Sequence, residues 1–383
     1  MEIGSAATVD TARYSPWIGE ADSLLVKDDT GRNVVSIHAD IPRIPASTLK
    51  IFTALMAIHY LGTGYRFPTE AWMNEKGNLV IKGFGDPLLT SEVISDFAGY
   101  VLQHKLGPFH QIIVDTTFFD SGIFIPGVED NTEPYNAGVG ALCANFNTVA
   151  FRTDDRGRLV SDEPQTPLVP LAMETIRRTG MRSGRISLSR DSRANARYAG
   201  ELIAWFLKQG GAVFSGPIRV EAGGDPVGGR MVRWVSPYTL PDIVSRMLEF
   251  SSNFLANQLF LTCGVKAAGF PATREKAILA ARRFISEHRL SESMVIVEGS
   301  GISRENRVSA SDLDDLLVLF EPYRNWMKRQ GGEWFKTGSL DGVRTRAGFM
   351  EGRDGRRYRF VVMLNTPGKT MEAVMKRLQE DLR

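Results

Sequence analysis

"IPRIPASTLKIFTALMAIHYLG" spans Ile41–Gly62 and sets a lysine, Lys50, into the first turn of a helix that is apolar on nearly every side. Pro45 and Ser47 read as the helix entry. Leu49, Ile51, Phe52, Leu55, Met56 and Ile58 then recur at helical spacing and cover most of the circumference, the pattern of a buried helix. Serine is a common N-cap, but three residues after a capping serine the expected partner is Glu or Gln. The positive end of the helix dipole also repels an ammonium. A half-desolvated lysine there loses its proton more readily than a free one. A neutral amine one turn from a serine hydroxyl can serve as its general base. A Ser-x-x-Lys match is expected about once by chance in a chain of average composition, so the pair needs company.

That company exists. Ser47-Thr48-Leu49-Lys50 is the only Ser-x-x-Lys in the chain, Ser251-Ser252-Asn253 the only Ser-x-Asn and Lys336-Thr337-Gly338 the only Lys-Thr-Gly. They occur in that order, 204 and then 85 residues apart. Each falls in the context its chemistry needs: a helix N-terminus, a loop between helices, and a strand. The trio is the signature of penicillin-binding proteins and class A β-lactamases. In that reading Ser47 is the nucleophile and Lys50 takes its proton. Ser251 relays the proton to a leaving amine, and Asn253 holds the peptide amide while bonding Lys50. Lys336 supplies positive charge near a substrate carboxylate, which Thr337 hydrogen-bonds. The backbone N–H groups of Ser47 and of Ser339, just past Gly338, form an oxyanion hole. The bland alternatives are an N-cap for Ser251 and Asn253 and an aggregation-deterring edge lysine for Lys336. Their coincidence in order and context is improbable.

Other chemistries find less support. The 46 basic and 44 acidic residues nearly cancel, so no polyanionic partner is implied and nucleic acid is not expected. No apolar run reaches membrane-spanning length, and the start carries no basic-then-apolar export signal. Cys143 and Cys263 lack metal-type spacing and read as buried free thiols, one disulfide being the alternative. The five histidines are scattered, with no H-E-x-x-H, and Gly299-Ser300-Gly301 lacks the spacing of a nucleophile elbow. The reading calls for no metal or cofactor.

The chain opens on a hairpin, "SLLVK" and "NVVSIHA" around the turn "DDTG". It closes on three strand candidates, "EWFKTGSL", "RTRAGFM" and "YRFVVMLN", followed by an amphipathic helix over Thr370–Leu382. These five strands are expected to form one antiparallel sheet flanked by helices, an α/β (α+β) domain built from residues 1–62 and 230–383. Residues 63–229 are then a β-rich insert leaving and re-entering it, with helices near Ser91–Lys105 and Ala196–Gln209. The Gly-rich "VEAGGDPVGGRMV" (Val220–Val232) is the expected linker.

Three further stretches carry a resemblance: "IKGFGDPLLTS" (Ile81–Ser91), "YNAGVGALCANFNTV" (Tyr135–Val149) and "EGSGISRENRVSA" (Glu298–Ala310). With the trio, they resemble segments of the class C low-molecular-mass penicillin-binding proteins, the D-Ala-D-Ala carboxypeptidase/endopeptidase family. The likeness covers nearly the whole chain, including the long separation of Ser47 from Ser251. Gly138-Val139 stands where the family has Pro-Pro, Ser-Ser-Asn where it has Ser-Asp-Asn, and the insert is shorter. The resemblance implies a transpeptidase-type fold and a periplasmic or cell-wall-facing enzyme. Such an enzyme trims peptidoglycan stem peptides through an acyl-enzyme on Ser47 and binds β-lactam antibiotics covalently. It also implies that Arg304 faces the peptide stem, opposite an acidic residue of the insert for which Asp115 is the nearest match. A β-lactamase or esterase on the same scaffold, or a non-catalytic wall-binding protein, are the rival functions.

Overall fold

The computed structural model describes residues 10–382. The hairpin forms as Ser23–Lys27 and Asn33–Ile37, its turn tied by the Asp28 carboxylate, which accepts from the N–H groups of Thr30 and Arg32. The two chain ends meet in one antiparallel sheet. Its order is Lys328–Gln330, Glu333–Leu340, Val343–Glu351, Arg357–Leu364, Ser23–Lys27, Asn33–Ile37.

Side chains of successive strand residues point to opposite faces, and both faces of this sheet are covered. Val361, Met363 and Leu25 face the layer that holds the Lys50–Leu61 helix. Phe360, Val362, Leu24 and Val26 face Tyr14 and the Met371–Leu382 helix. Each such side chain contributes roughly 1.5–3 kcal/mol on full burial. The Lys50–Leu61 helix itself packs against the helices Leu240–Glu249, Asn253–Ala268 and Ala310–Phe320. Its residues Lys50–Ala57 are all buried.

The sheet has six strands where the sequence suggested five. The extra one, Lys328–Gln330, is three residues long, exposed and polar, so it has no alternating apolar pattern to read. It forms because the tight turn at Gly331-Gly332 folds it back on Glu333–Phe335. Its Lys and Arg charge the sheet edge, where an uncharged strand would invite pairing with another chain.

The insert holds two sheets. One is a mixed five-stranded sheet in the order Pro226–Val235, Pro68–Asn74, Leu79–Gly83, Ile112–Asp115, Ile218–Val220. The other has three strands, Leu159–Ser161, Thr148–Thr153 and Ser183–Ser187. Helices Ser91–Gln103, Pro170–Thr179 and Ser192–Gln209 complete a core of its own around Phe97, Phe151, Tyr198 and Leu202.

The expected linker is largely strand. Met231–Val235 pairs residue by residue with Pro68–Trp72, and the insert's sheet therefore runs to Val235 instead of ending at Gly229. Glycines there mark a bulge: the pairing skips Val227–Arg230, with Gly228 and Gly229 at φ +57° and +69°. The insert also shares a core with the rest of the chain. Phe119, Ile125, Val139, Ala141 and Cys143 belong to the same core as the Lys50–Leu61 helix, which fixes the insert against the larger domain. Cys143 and Cys263 are both buried free thiols.

The bulge is exposed and unpaired on both sides. Limited trypsin treatment should therefore cut first at Arg230, with the cut protein keeping its thermal transition. Primary cleavage between Leu240 and Cys263 would contradict this account of the insert's edge.

Candidate active site

Ser47 lies in one turn of 3-10 helix, Ala46–Leu49, and Lys50 is the first residue of the α-helix that continues from it. Sequence periodicity does not separate the two helix types. The difference matters, because residues three apart eclipse one another in a 3-10 turn. Ser47 Oγ and Lys50 Nζ are accordingly 2.9 Å apart. Ala46, immediately before, has φ +47°, a conformation unusual for a residue with a Cβ. Thr345 Oγ1 and Thr48 Oγ1 both donate to Pro45 O, at 2.8 and 2.6 Å, and hold that bend.

Lys50 is fully buried, and its other two contacts are carbonyl oxygens: Asn253 Oδ1 at 2.8 Å and Ser300 O at 2.7 Å. Burial lowers its pKa well below the ordinary lysine value, Lys336 lowers it further, and Glu298 pulls in the opposite direction. A neutral amine has two protons and one lone pair. Two carbonyls can only accept, so both protons go to them and the lone pair is left facing the Ser47 hydroxyl. That is the geometry of a general base.

Ser251 precedes the Asn253–Ala268 helix, which Ser252 caps through its bond from Leu255 N–H. Ser251 is at φ +55°, and its Oγ accepts from Lys336 Nζ at 2.8 Å. Lys336 also donates to Thr337 O at 2.6 Å. Burial, with Lys328 contributing, brings the Lys336 pKa down to about 8. Asn253 donates from Nδ2 to Tyr135 O of the insert at 3.2 Å. Gly338 is obligatory where it stands, since a Cβ there would sit 2.3 Å from Thr345 Oγ1 and 2.7 Å from Ser47 N. Its lack of a side chain lets the Glu333–Leu340 strand lie against the Ser47 turn.

The stretch Glu298–Ala310 supplies a part that motif reading did not assign. Glu298 is fully buried, and its carboxylate accepts from Ser300 N and Oγ (both 2.6 Å), Gly301 N (2.7 Å) and Asn306 Nδ2 (2.7 Å). This clasp turns the Ser300 carbonyl onto Lys50. Gly301, at φ +81°, passes so close to Ala46 that a Cβ would meet its carbonyl oxygen at 1.8 Å. A buried acid among small polar residues was the available signal.

The catalytic turn opens into a cleft of about 800 Å³ lined by Ser47, Ser251, Asn253, Arg304, Ser339 and Glu129 among others. Arg304 donates to the Asp341 carbonyl at its rim. Two expected residues sit elsewhere. Asp115 is buried in the insert's sheet, where its carboxylate accepts from Thr117 N (2.9 Å), Thr117 Oγ1 (2.6 Å) and Gly223 N (3.0 Å). It does not line the cleft; the insert's acidic residue there is Glu129. Thr337 is exposed and contributes its carbonyl to Lys336, and its side chain is not part of the cleft lining.

Comparison with known proteins bears on the family and the fold. The family model described as the D-Ala-D-Ala carboxypeptidase 3 (S13) family matches residues 6–180 and 161–328. A protein of Haemophilus influenzae named D-alanyl-D-alanine carboxypeptidase DacB is 23% identical, over 84% of this chain and 80% of its own length. The crystal structure of penicillin binding protein 4 (dacB) from that organism superposes with a TM-score of 0.77, at 19% identity, covering 97% of this chain and 99% of that one. The same protein complexed with a β-lactam gives 0.73 at 18% identity, covering 97% of this chain and 98% of that one.

The depressed Lys50 pKa has a consequence for stability. At low pH the folded protein must hold Lys50 charged in a buried site. As pH rises above the depressed value this cost is relieved, and the relief is complete once the unfolded lysine also deprotonates near 10.5. The stability of Lys50→Met relative to the unaltered protein should therefore fall steadily with rising pH over that window. Denaturant titrations across the range check it; a pH-independent difference would mean that Lys50 is not perturbed.

Proposed function

Because the chain belongs to the D-Ala-D-Ala carboxypeptidase 3 (S13) family, we propose that it is a serine DD-peptidase acting on peptidoglycan stem peptides through an acyl-enzyme on Ser47. The scissile bond is D-Ala-D-Ala or D-Ala–diaminopimelate. The observation that carries the reading is the buried Lys50 amine, 2.9 Å from Ser47 Oγ with both its protons engaged elsewhere.

Ser47 Oγ attacks the D-Ala carbonyl carbon as Lys50 accepts its proton. The carbonyl oxygen, now negative, is held by the N–H groups of Ser47 and Ser339, the kind of donor pair that typically supplies several kcal/mol. The C–N bond then breaks. The proton passes by way of Ser251 to the departing amine, and an ester on Ser47 remains. Water, deprotonated by Lys50, cleaves the ester and restores Ser47. Lys336, with a proton to lose near pH 8, anchors a carboxylate on the departing side and keeps Lys50 neutral. A β-lactam follows the first half of this path. Its C–N bond also opens, but the amine stays tethered in the site, where it hinders the water. A cell-wall-facing location follows from the substrate.

Incubation with benzylpenicillin should add one acyl group, on Ser47, that persists for minutes or longer, as read by intact-protein and peptide mass spectrometry. Lys50→Arg, which cannot act as a base at neutral pH, should acylate ~10²–10⁴-fold more slowly. An unmodified mass with intact drug would remove the nucleophile assignment, and rapid drug hydrolysis would favour a β-lactamase.

Arg304 and Glu129 face the same cleft and suit the carboxylate and ammonium that end a diaminopimelate side chain. Arg304→Ala should lower kcat/KM for a diaminopimelate-containing peptide by about 2–5 kcal/mol, leaving benzylpenicillin acylation little changed. Equal losses on both compounds would assign Arg304 to the fold instead.

A further inference from the structure

The helix Ser192–Gln209 is a strut through the insert. At its start Ser192 Oγ donates to Ser121 O and Asn195 lies against Gly138, in the stretch that packs into the core of the larger domain. At 1.5 Å per residue its 18 residues carry the other end roughly 27 Å away. The helix Ser91–Gln103 packs beside it and ends at the same place, where Leu102 closes on Gly210.

Two features set that end apart. The first is charge. Residues 97–114 and 202–220 build it, and neither stretch contains an Asp or Glu. At the chain's own frequency of 44 acids in 383 residues, about four would be expected in those 37. Lys105, Lys208 and Arg219 are exposed there, and Arg230 joins them by donating to the His104 carbonyl at 2.7 Å. Among the described residues none of these four cations is in an ion pair. The adjoining hairpin turn, whose Gly77 carbonyl accepts from His110 N at 3.1 Å, adds Glu75 and Lys76, which cancel. Asp225, just before the bulged strand, still leaves the group positive.

The second feature is exposed apolar surface. Val213 is 92% exposed and Trp205 39%. Phe109 and Phe214, both half-buried, pair at 4.7 Å, and Lys208 Nζ lies 4.8 Å from the Phe214 ring centre. Trp205 and Lys208, three residues apart, share one helix face. A lysine near a helix C-terminus is accounted for by the helix dipole. The dipole does not account for the missing acids, nor for a valine held out in water beyond the Gly210-Gly211 turn.

Cations interleaved with rings around an apolar tip match the headgroup layer of a bilayer containing anionic phospholipid. Phosphates receive the lysines and arginines, Trp and Phe favour the boundary layer, and Val213 reaches toward the acyl chains. A soluble polyanion would use the charges and leave the apolar groups in water. We propose that this end of the insert seats the protein on an anionic lipid surface. The catalytic half is then held about one helix length off the lipid. The inference is independent of the reaction carried out at Ser47.

The test is co-sedimentation of the full chain with vesicles of phosphatidylglycerol and phosphatidylcholine in equal parts, and with vesicles of phosphatidylcholine alone. The mixed vesicles should bind at least about tenfold more tightly. Lys105→Gln with Lys208→Gln should remove about tenfold or more of that binding, and Val213→Asp, at an exposed position, several-fold. Both variants should keep the thermal transition and the benzylpenicillin acylation rate of the unaltered protein. No binding to the mixed vesicles, equal binding to both kinds, or full binding by the lysine variant overturns the proposal. Full binding by Val213→Asp together with equal competition from soluble polyphosphate overturns it in favour of a polyanion site. A concentration-dependent mass that Val213→Asp abolishes, without vesicle binding, overturns it in favour of a contact between copies.

Discussion

A lysine amine buried without a carboxylate to neutralise it governs this molecule. The three contacts of Lys50 are a hydroxyl and two carbonyl oxygens. An ammonium at such a place is costly, and proteins generally resolve that cost by giving up the proton. Each of the three partners comes from a distant part of the chain or a separate structural device. The 3-10 turn brings Ser47, the start of the Asn253–Ala268 helix brings Asn253, and the Glu298 clasp brings Ser300. Closing these around one nitrogen requires the helical layer and the sheet to be docked in a single register.

The close approaches show how that register is enforced. Gly301 and Gly338 lie against the Ala46–Ser47 backbone from two sides at distances no other residue could occupy. Thr345, one strand further into the sheet, reaches over Gly338 to Pro45. Ser47 is therefore fixed by backbone contacts, and its side chain is left free to react. The negative Glu298 beneath Ser300 is a compromise. It raises the Lys50 pKa, working against burial and Lys336, but only an acceptor of several bonds can gather the N–H groups of that tight loop.

Much of this was legible in the sequence because the catalytic motifs coincide with strong local patterns. The apolar run after Lys50, the capping serine before the Asn253–Ala268 helix and the alternation of the last strands each locate one motif. What escaped has physical causes. The sixth strand is held by a turn and lacks an apolar face. The expected linker reads as loop because its glycines serve a bulge, although the residues after them pair fully with Pro68–Trp72. Asp115 is matched to an acidic substrate contact by resemblance alone, and nothing in its neighbourhood reveals that Gly223, more than a hundred residues on, claims its carboxylate. Glu129 was invisible for the converse reason: it sits in an irregular loop, where no periodicity says which way a side chain faces. Pairing partners that are remote in sequence are what local patterns cannot contain.

The insert, finally, cannot be decoration. Its Phe119–Cys143 stretch packs into the core of the Lys50–Leu61 helix, and its Tyr135 carbonyl accepts from Asn253, the residue that also holds Lys50. The same stretch gives Glu129 and Tyr135 to the cleft. Insert and catalytic amine are thus two bonds apart through one asparagine. A shift of the insert large enough to reshape the cleft would pull on Asn253, and so on the carbonyl that keeps the Lys50 lone pair pointed at Ser47. Fixing the insert against the larger domain preserves the shape of the cleft and the basicity of its catalytic group by the same contact.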